Sequence, residues 1–232
     1  ESLGFFQESD DKNGDGVINS ADGYNITQYG DLHPGDIKYA DLSGPDGVPD
    51  GKIDSHDETV IGNTAYPYIT YGFSPTASWK GFDLSLFFQG SALVSLETTG
   101  FQTIPFQNND ANTDYEYFNN HWTPETPDAR YPRANSAPYA NNTRATDFWM
   151  DDAGFLRLKT ATLGYTLPTN VMEFLKIQSV RLYVTTHNIL TFTKIKYMDP
   201  ETAHGEDDEI NNAAIQTYPT QYSVIFGLDV TF

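Results

Sequence analysis

Apolar and polar residues alternate with a period of two in five stretches of the chain. The stretches are 66–79, 82–90, 155–166, 179–192 and 222–232. A period of two is that of a β-strand, whose successive side chains point to opposite faces. In the last stretch, every second residue from Tyr222 to Phe232 is apolar. The pattern predicts five strands that share one apolar face and one mixed polar face.

The connections between these stretches alternate between short and long. The turns at 79–81 and 168–178 are short, whereas the other connections are long and have no sustained periodicity. The long segments are 1–66, 91–153 and 192–219. Short turns at one end and long loops at the other are typical of transmembrane β-barrels, while soluble sandwiches have short loops at both ends. We therefore expect an all-β, antiparallel transmembrane β-barrel segment, with the loop 1–66 followed by a strand region at 67–232.

The composition narrows the class of partner. The 232 residues include 32 acidic and 13 basic ones, a net charge of −19 that argues against a nucleic-acid partner. There is no cysteine, so disulfides, thiolate metal sites and cysteine nucleophiles are excluded. The sequence contains no run of about 18 apolar residues, which excludes a transmembrane helix but leaves a barrel open.

The sequence also shows no catalytic signature. Its histidines are scattered, with no pair at the ligand spacing of a zinc site. Ser, Asp and His form no triad or nucleophile-elbow pattern. Asp151 and Asp152 are a pair of carboxylates such as glycosidases use, but adjacent strand positions point apart. We therefore expect that the chain is not an enzyme.

Residues 11–22, DKNGDGVINSAD, have the spacing of a calcium loop. Such a loop places oxygen donors at its first, third, fifth, seventh and twelfth positions and a glycine at the sixth. Gly16 takes the glycine position. The donors are Asp11, Asn13, Asp15, the backbone carbonyl of Val17, and Asp22. The pattern predicts a site for calcium or another hard cation; the alternative is a turn rich in Asp, Asn and Gly without a metal.

A second and less regular copy of this pattern runs over 46–57. Its first half is interrupted by the letters SGPDGVP, so either Asp46 or the earlier Asp41 could supply the first ligand. The other candidates are Asp50, Lys52 at the backbone-carbonyl position, Asp54 and Asp57. Calcium is thus expected in the first loop and left open for the second.

Several blocks of the sequence together resemble one family. They are, in order, GDIKYADLSG, YPYITYGFSPTASWKGFDLSLFFQG, NHWTPETPDARYPR, FWMDDAGFLRLKTATLGYTLP, VRLYVTTHNILTF and the final YSVIFGLDVTF. In this order and approximate spacing, they resemble the C-terminal end of SusC-like TonB-dependent transporters, the outer-membrane nutrient importers of Bacteroidetes. The resemblance covers nearly the whole chain.

The resemblance implies a barrel of about 22 strands, of which the strands predicted here are the last five. It implies a bacterial outer-membrane location with extracellular loops, and uptake of oligosaccharides or peptides beneath a SusD-like surface lipoprotein. Coupling to TonB would pass through an N-terminal part that this chain lacks. Outer-membrane lipid would contact the apolar face, and Phe232 would be the signal that the barrel-assembly machinery recognises.

Aromatic residues of the long loops are candidates for contact with a ligand or partner, since aromatic rings stack on sugar rings. The alternative is that they pack the loops together. They are Trp122, Tyr131, Tyr139, Phe148 and Trp149. For the chain as a whole, the alternative function is a soluble, secreted, calcium-dependent carbohydrate-binding module, which would bury its strands in a closed core.

Overall fold

The structure, a computed structural model, describes residues 1–98, 104–106, 112–113, 115–136, 139–195, 198–201 and 220–232. These residues fall into two compact units. Within the described ranges, the loop unit comprises 1–62 and 97–151, and the sheet unit comprises the remainder.

Strands account for most of the regular structure. They are β1 Ser2–Phe5, β2 Ile37–Tyr39, β3 Ile69–Phe73, β4 Thr76–Trp79, β5 Phe82–Ala92, β6 Ser95–Glu97, β7 Met150–Asp152, β8 Phe155–Thr166, β9 Ser179–Thr193 and β10 Ser223–Thr231. The described ranges also contain two short α-helices, α1 Tyr115–Asn120 and α2 Thr169–Leu175. No helix in the described ranges is both long enough and apolar enough to cross a membrane.

The sheet unit is built on one sheet with the strand order β10-β9-β8-β5-β3, and β4 also pairs with β5. Every pair in this sheet is antiparallel. All five predicted strands are present, so the predicted antiparallel all-β fold is confirmed. Within the described residues, the sheet does not close on itself.

The first predicted strand, 66–79, is divided into β3 and β4, which both pair with β5. Pro75 lies between them. A proline has no N–H to give to a ladder, and here the Pro75 carbonyl accepts a hydrogen bond from the N–H of Leu86 at 3.0 Å. β3 and β4 are therefore successive halves of one edge strand.

One face of the sheet is apolar from strand to strand. Residues directly opposite one another in antiparallel strands share a face, so the register defines rows of side chains across the sheet. Two rows of the apolar face are Phe226–Val184–Leu163–Leu84–Ala77 and Leu228–Leu182–Tyr165–Phe82–Trp79. Phe226 is 82% exposed and Trp79 is 68% exposed. In a transmembrane barrel, such a face is the one that meets lipid.

The opposite face carries charged and hydroxyl side chains. Arg181 on β9 forms ion pairs with Asp83 on β5 at 2.6 Å and with Asp229 on β10 at 3.2 Å. Gly164 on β8 lies between Arg181 and Asp83, and a Cβ atom added to it would stand 2.4 Å from Asp83 Oδ1. The glycine thereby leaves the space through which Arg181 reaches across β8.

In its described residues, the loop unit has two small cores, although its sequence shows no periodicity. The first contains Ile37, Tyr39, Ile53, Tyr117, Tyr131 and Trp149, and the second contains Phe6, Ile18 and Leu32. Segment 1–66, predicted as a loop, contains the antiparallel pair β1 and β2 and contributes to both cores. Its apolar residues are too widely spaced to produce a period, because they meet partners that are distant in the sequence.

Candidate functional site

The first candidate loop, 11–22, is closed by its own carboxylates. The two oxygens of Asp11 accept backbone N–H bonds from Gly14 and Gly16, each at 2.8 Å. Asp15 Oδ1 accepts the N–H of Val17 at 2.9 Å. Gly16 has a φ of +83°, a left-handed conformation that favours glycine. The residues predicted as donors therefore do surround one tight turn.

Asp22, the last predicted donor of this loop, ties its two ends together. It is 2% exposed. One oxygen accepts the N–H groups of Lys12 and Asn13 at 2.8 and 3.1 Å, and the other accepts that of Asn19 at 3.0 Å. The hydrogen bond from the Asn19 N–H has the largest effect on the pKa of Asp22 and lowers it. Burial raises this pKa, but the N–H groups of Asn13 and Lys12 lower it again, so the pKa lies below its ordinary value.

The second loop has the same framework, and it begins at Asp41. Asp41 accepts N–H bonds from Asp50 at 3.3 Å and from Gly51 at 2.6 Å. Asp46 lies on an exposed turn within the inserted residues. The sequence allowed either Asp41 or Asp46 as the first ligand of this loop. In the structure, Asp41 holds the position equivalent to that of Asp11 in the first loop.

Asp57 closes the second loop as Asp22 closes the first. Its Oδ1 accepts the N–H groups of Leu42 at 2.7 Å and Ser43 at 3.1 Å, and its Oδ2 accepts that of Asp54 at 2.8 Å. Burial raises the pKa of Asp57, but the three N–H groups outweigh burial and the pKa is lowered. Both closing carboxylates are therefore ionised at neutral pH.

Both loops are anchored to the cores of the loop unit by an isoleucine. Ile18 and Ile53 are buried, and each donates its N–H to a backbone carbonyl, at 2.7 and 2.8 Å. Just before Ile53, the Lys52 N–H donates to Asp50 Oδ1 at 3.0 Å, which is the counterpart of the Val17 bond in the first loop. The two loops are thus two copies of one hydrogen-bonded design.

The donor chemistry of the loops suits a hard cation, because every donor is an oxygen atom. In the part of the chain that the structure describes, however, no three acidic or histidine side chains converge into a group that could hold a metal ion. Asp11, Asp15 and Asp22 are engaged with backbone N–H groups instead. Calcium binding therefore stays a prediction.

The five aromatic candidates lie in the loop unit, and three of them are in its interior. Tyr131, Trp149 and Trp122 are 1%, 4% and 7% exposed, while Tyr139 and Phe148 are half-buried. Phe148 packs edge-on against Trp149 with ring centroids 4.8 Å apart. These positions agree with the alternative in which the rings pack the loops together, and ligand contact stays a prediction.

A buried polar network that sequence reasoning missed holds the loop unit together. Asp36 is fully buried and pairs with Arg133 Nε at 2.6 Å. Asn142 donates to the same Asp36 oxygen at 2.8 Å and accepts the N–H of Ile37 at 3.0 Å. Because the partners of Asp36 are 97 and 106 residues away, no local spacing could have revealed them.

A cavity of about 620 Å³ lies in the loop unit, beside the end of the second loop. Its wall includes Tyr29, Tyr39, Glu58, Arg144 and Asp147. The Arg144 guanidinium lies 3.7 Å from the centre of the Tyr29 ring. Burial raises the pKa of Tyr39 far above its ordinary value, so its hydroxyl stays protonated. The volume is within the range of small-molecule pockets.

Comparisons with known proteins agree with this architecture. No family model matches the chain. It is 32% identical over 211 residues to TonB-dependent receptor P3 of Formosa agariphila. The aligned region covers 89% of this chain and 20% of the receptor. It is 30% identical over 202 residues to TonB-dependent receptor P26 of the same organism, covering 85% and 20%.

Solved structures of one transport system also match. The RagAB peptide importer in the open-open state has a TM-score of 0.55 and 27% identity, covering 81% of this chain and 20% of that one. A structure of the RagAB peptide transporter has a TM-score of 0.58 and 26% identity, covering 82% and 20%. The chain therefore spans about a fifth of the length of each of these relatives.

An open antiparallel sheet with one apolar and one charged face is the architecture of a transmembrane barrel wall. With the matches, the predicted resemblance is confirmed: over most of its length, the chain is similar to TonB-dependent receptors. The relatives are named as receptors and importers, which agrees with the expectation that the chain is not an enzyme.

Proposed function

We propose that this chain is the C-terminal part of the barrel of a TonB-dependent importer that takes up oligosaccharides or peptides across the bacterial outer membrane. The observation that carries the proposal is the division of the sheet into an apolar and a charged face, since a barrel wall needs lipid on one side and polar surroundings on the other. The similarity to RagAB, named as a peptide importer and a peptide transporter, supports peptides as one class of cargo.

The open apolar face argues against the alternative of a soluble carbohydrate-binding module. Leu228, Leu182 and Phe82 form one row of this face and are 59%, 49% and 47% exposed. Soluble proteins rarely leave a continuous apolar patch uncovered. A lipid bilayer covers such a patch without any further protein.

In this proposal, the chain's own role in transport is passive. The strands form part of the barrel wall, and the long loops help to form the outer vestibule and the surface that contacts a SusD-like lipoprotein. TonB acts through the N-terminal part of the complete protein. Phe232, 84% exposed directly after β10, serves as the signal for barrel assembly.

Calcium would stiffen the loop unit. The first loop would hold the ion through Asp11, Asn13, Asp15, the Val17 carbonyl and Asp22, and the second through Asp41, Asp50, the Lys52 carbonyl, Asp54 and Asp57. A bound calcium ion would be coordinated by oxygen atoms from several parts of each loop and would hold them in place. The loops would then be ordered before a partner binds, which lowers the entropy cost of binding.

Fractionation and uptake by living cells test this function. The complete protein should sediment with outer membranes and run as a heat-modifiable band in gels. A deletion strain should lose uptake of fluorescent oligosaccharides or of fluorescent peptides, and the restored gene should recover it. Folded, full-length protein in the soluble fraction without detergent would overturn the proposal.

A further inference from the structure

Arg157 on β8 is a charged residue whose side chain is only 4% exposed. It lies on the polar face, directly opposite Thr191 of β9, and its Nε donates to Thr191 Oγ1 at 2.9 Å. Its two terminal nitrogens pair with Asp199, at 2.6 Å, and with Glu201. Arg157 therefore binds both the wall of the sheet and the segment that follows β9.

Asp199 in turn binds both ends of the connection from β9 to β10. Its Oδ1 accepts the N–H of Glu201 at 3.0 Å, and its Oδ2 accepts the N–H of Thr220 at 3.1 Å. Residues 202–219 lie between these two donors in the sequence. One carboxylate thus joins the segment that leaves β9 to the segment that enters β10.

Lys159 balances the charges of this cluster. It lies where the register between β8 and β9 shifts, and its Nζ pairs with Glu201 at 2.6 Å. Among the residues that the structure describes, Arg157 and Lys159 thus face the carboxylates of Asp199 and Glu201. The pair of Arg157 with Asp199 is shielded from water, with side chains 4% and 8% exposed, so breaking it costs more than the loss of an exposed pair.

We propose that Arg157 and Asp199 form an ionic clasp that fixes both ends of the β9–β10 connection to the polar face of the sheet as one unit. The stem held in this way consists of 199–201 and 220. Arg157 is a positioning residue, because it acts on the stem through Asp199. Loss of either charge releases both ends together. The clasp does not depend on which cargo the protein transports.

Hydrogen exchange of the complete protein, measured by mass spectrometry in detergent micelles, tests the clasp. In Arg157→Met, peptides that contain Glu201 and peptides that contain Thr220 should both exchange at least about tenfold faster than in the wild type. Release of only one end, or unchanged exchange at both, would overturn the proposal.

Two further variants make the result specific. Lys194 lies shortly before Asp199 in the sequence and pairs with Asp152, and the two side chains are 80% and 51% exposed. Lys194→Met removes this exposed ion pair and should leave both stem peptides unchanged. Asp199→Asn keeps the size of the residue and should release both ends as Arg157→Met does. Heat-modifiability of each variant confirms that its barrel is folded. If Asp199→Asn folds and stays protected at both ends, the clasp does not exist.

Discussion

Arg181 on β9 donates two hydrogen bonds to Asp83 on β5 and crosses the strand between them to do so. Nε lies 2.9 Å from Oδ1, and Nη2 lies 2.6 Å from Oδ2. The pair occupies space that a side chain of β8 would need, because a Cβ atom on Gly164 would stand 2.4 Å from Asp83 Oδ1 and 2.6 Å from Arg181 Nε. The charged face of the sheet therefore depends on a residue that has no side chain.

Replacement of Gly164 should break this ion pair. Gly164→Ala forces the Arg181 and Asp83 side chains apart and should lower the free energy of unfolding of the barrel by about 1–3 kcal/mol. Urea titration of the complete protein in detergent, followed by the heat-modifiable band, measures the change. Asp83→Ser removes the nearer obstacle and frees the Arg181 side chain to move aside, so adding Gly164→Ala to it should cost much less. Equal costs in both backgrounds would contradict the account.

Calcium should protect the loop unit from proteolysis. With calcium, cleavage within residues 8–60 of the complete protein should be slower than with a chelator, because the ion joins segments that otherwise open separately. Asp15→Ala should abolish the part of the effect that the first loop carries. Cleavage that is indifferent to the chelator would remove calcium from the account.

The position of Asp41 gives a matched test for the second loop. Asp41 binds the turn at Gly51, whereas Asp46 lies on an exposed turn. Asp41→Ala should therefore weaken calcium protection near residue 51, and Asp46→Ala should leave it intact. The reverse order would show that the ligand set begins at Asp46.

Truncation of Trp149 should open the loop unit. Its ring is buried against Phe148, and its Nε1 donates to the Asn142 carbonyl at 2.8 Å. Trp149→Ala should cost about 3–5 kcal/mol, measured by pulse proteolysis of 115–149 across a urea series. Tyr115→Ala removes a ring that is 85% exposed and should change stability little. If the two variants were alike, Trp149 would not be a core residue.

The clasp around Asp199 should resist acid. Burial raises the pKa of Asp199, but hydrogen bonds from Arg157, from the N–H of Glu201 and from the side chain of Thr220 outweigh burial and lower the pKa below its ordinary value of 3.8. Lys159 also faces the cluster, through its ion pair with Glu201. A lowered pKa contributes stability that is present above 3.8 and lost as the pH falls through the lowered value.

Protection factors of the two stem ends should thus stay constant from about pH 7 to about pH 4 and fall together only below that. They are obtained from hydrogen exchange after correction for the intrinsic rate at each pH. Release of the stem between about pH 5 and pH 7 would show that a group other than Asp199 controls it.

The sheet could be predicted from the sequence because its signal is local. Alternation with a period of two identified the strands and assigned Phe226 and Ile225 to opposite faces, and the register confirms this, since they pair with Val184 and Thr185. Pro75 was visible as well, and its missing N–H explains the division of the first strand.

The loop unit could not be predicted in the same way, because its contacts connect distant residues. Asp36 meets Arg133 across 97 residues, and the core brings together Tyr39 from segment 1–62 and Trp149 from segment 97–151. In the second acidic loop, the inserted residues hid the first position, so the sequence alone could not choose between Asp41 and Asp46.

The most direct test of the central claim compares two neighbouring residues of β10. Phe226 lies on the apolar face and Ile225, the residue before it, on the charged face. Both residues are apolar, so each replacement by arginine exchanges a large apolar side chain for the same charged one. An arginine facing lipid near the middle of a bilayer costs about 2–4 kcal/mol, and one facing a barrel interior costs less.

The measurement is the fraction of complete protein that reaches the outer membrane as the heat-modifiable, folded form. Phe226→Arg should lower this fraction strongly, while Ile225→Arg should stay close to the wild type. If the two variants assembled equally well, or if Ile225→Arg were the more damaging, the apolar face would not be the lipid face. The chain would then not be a segment of a barrel wall.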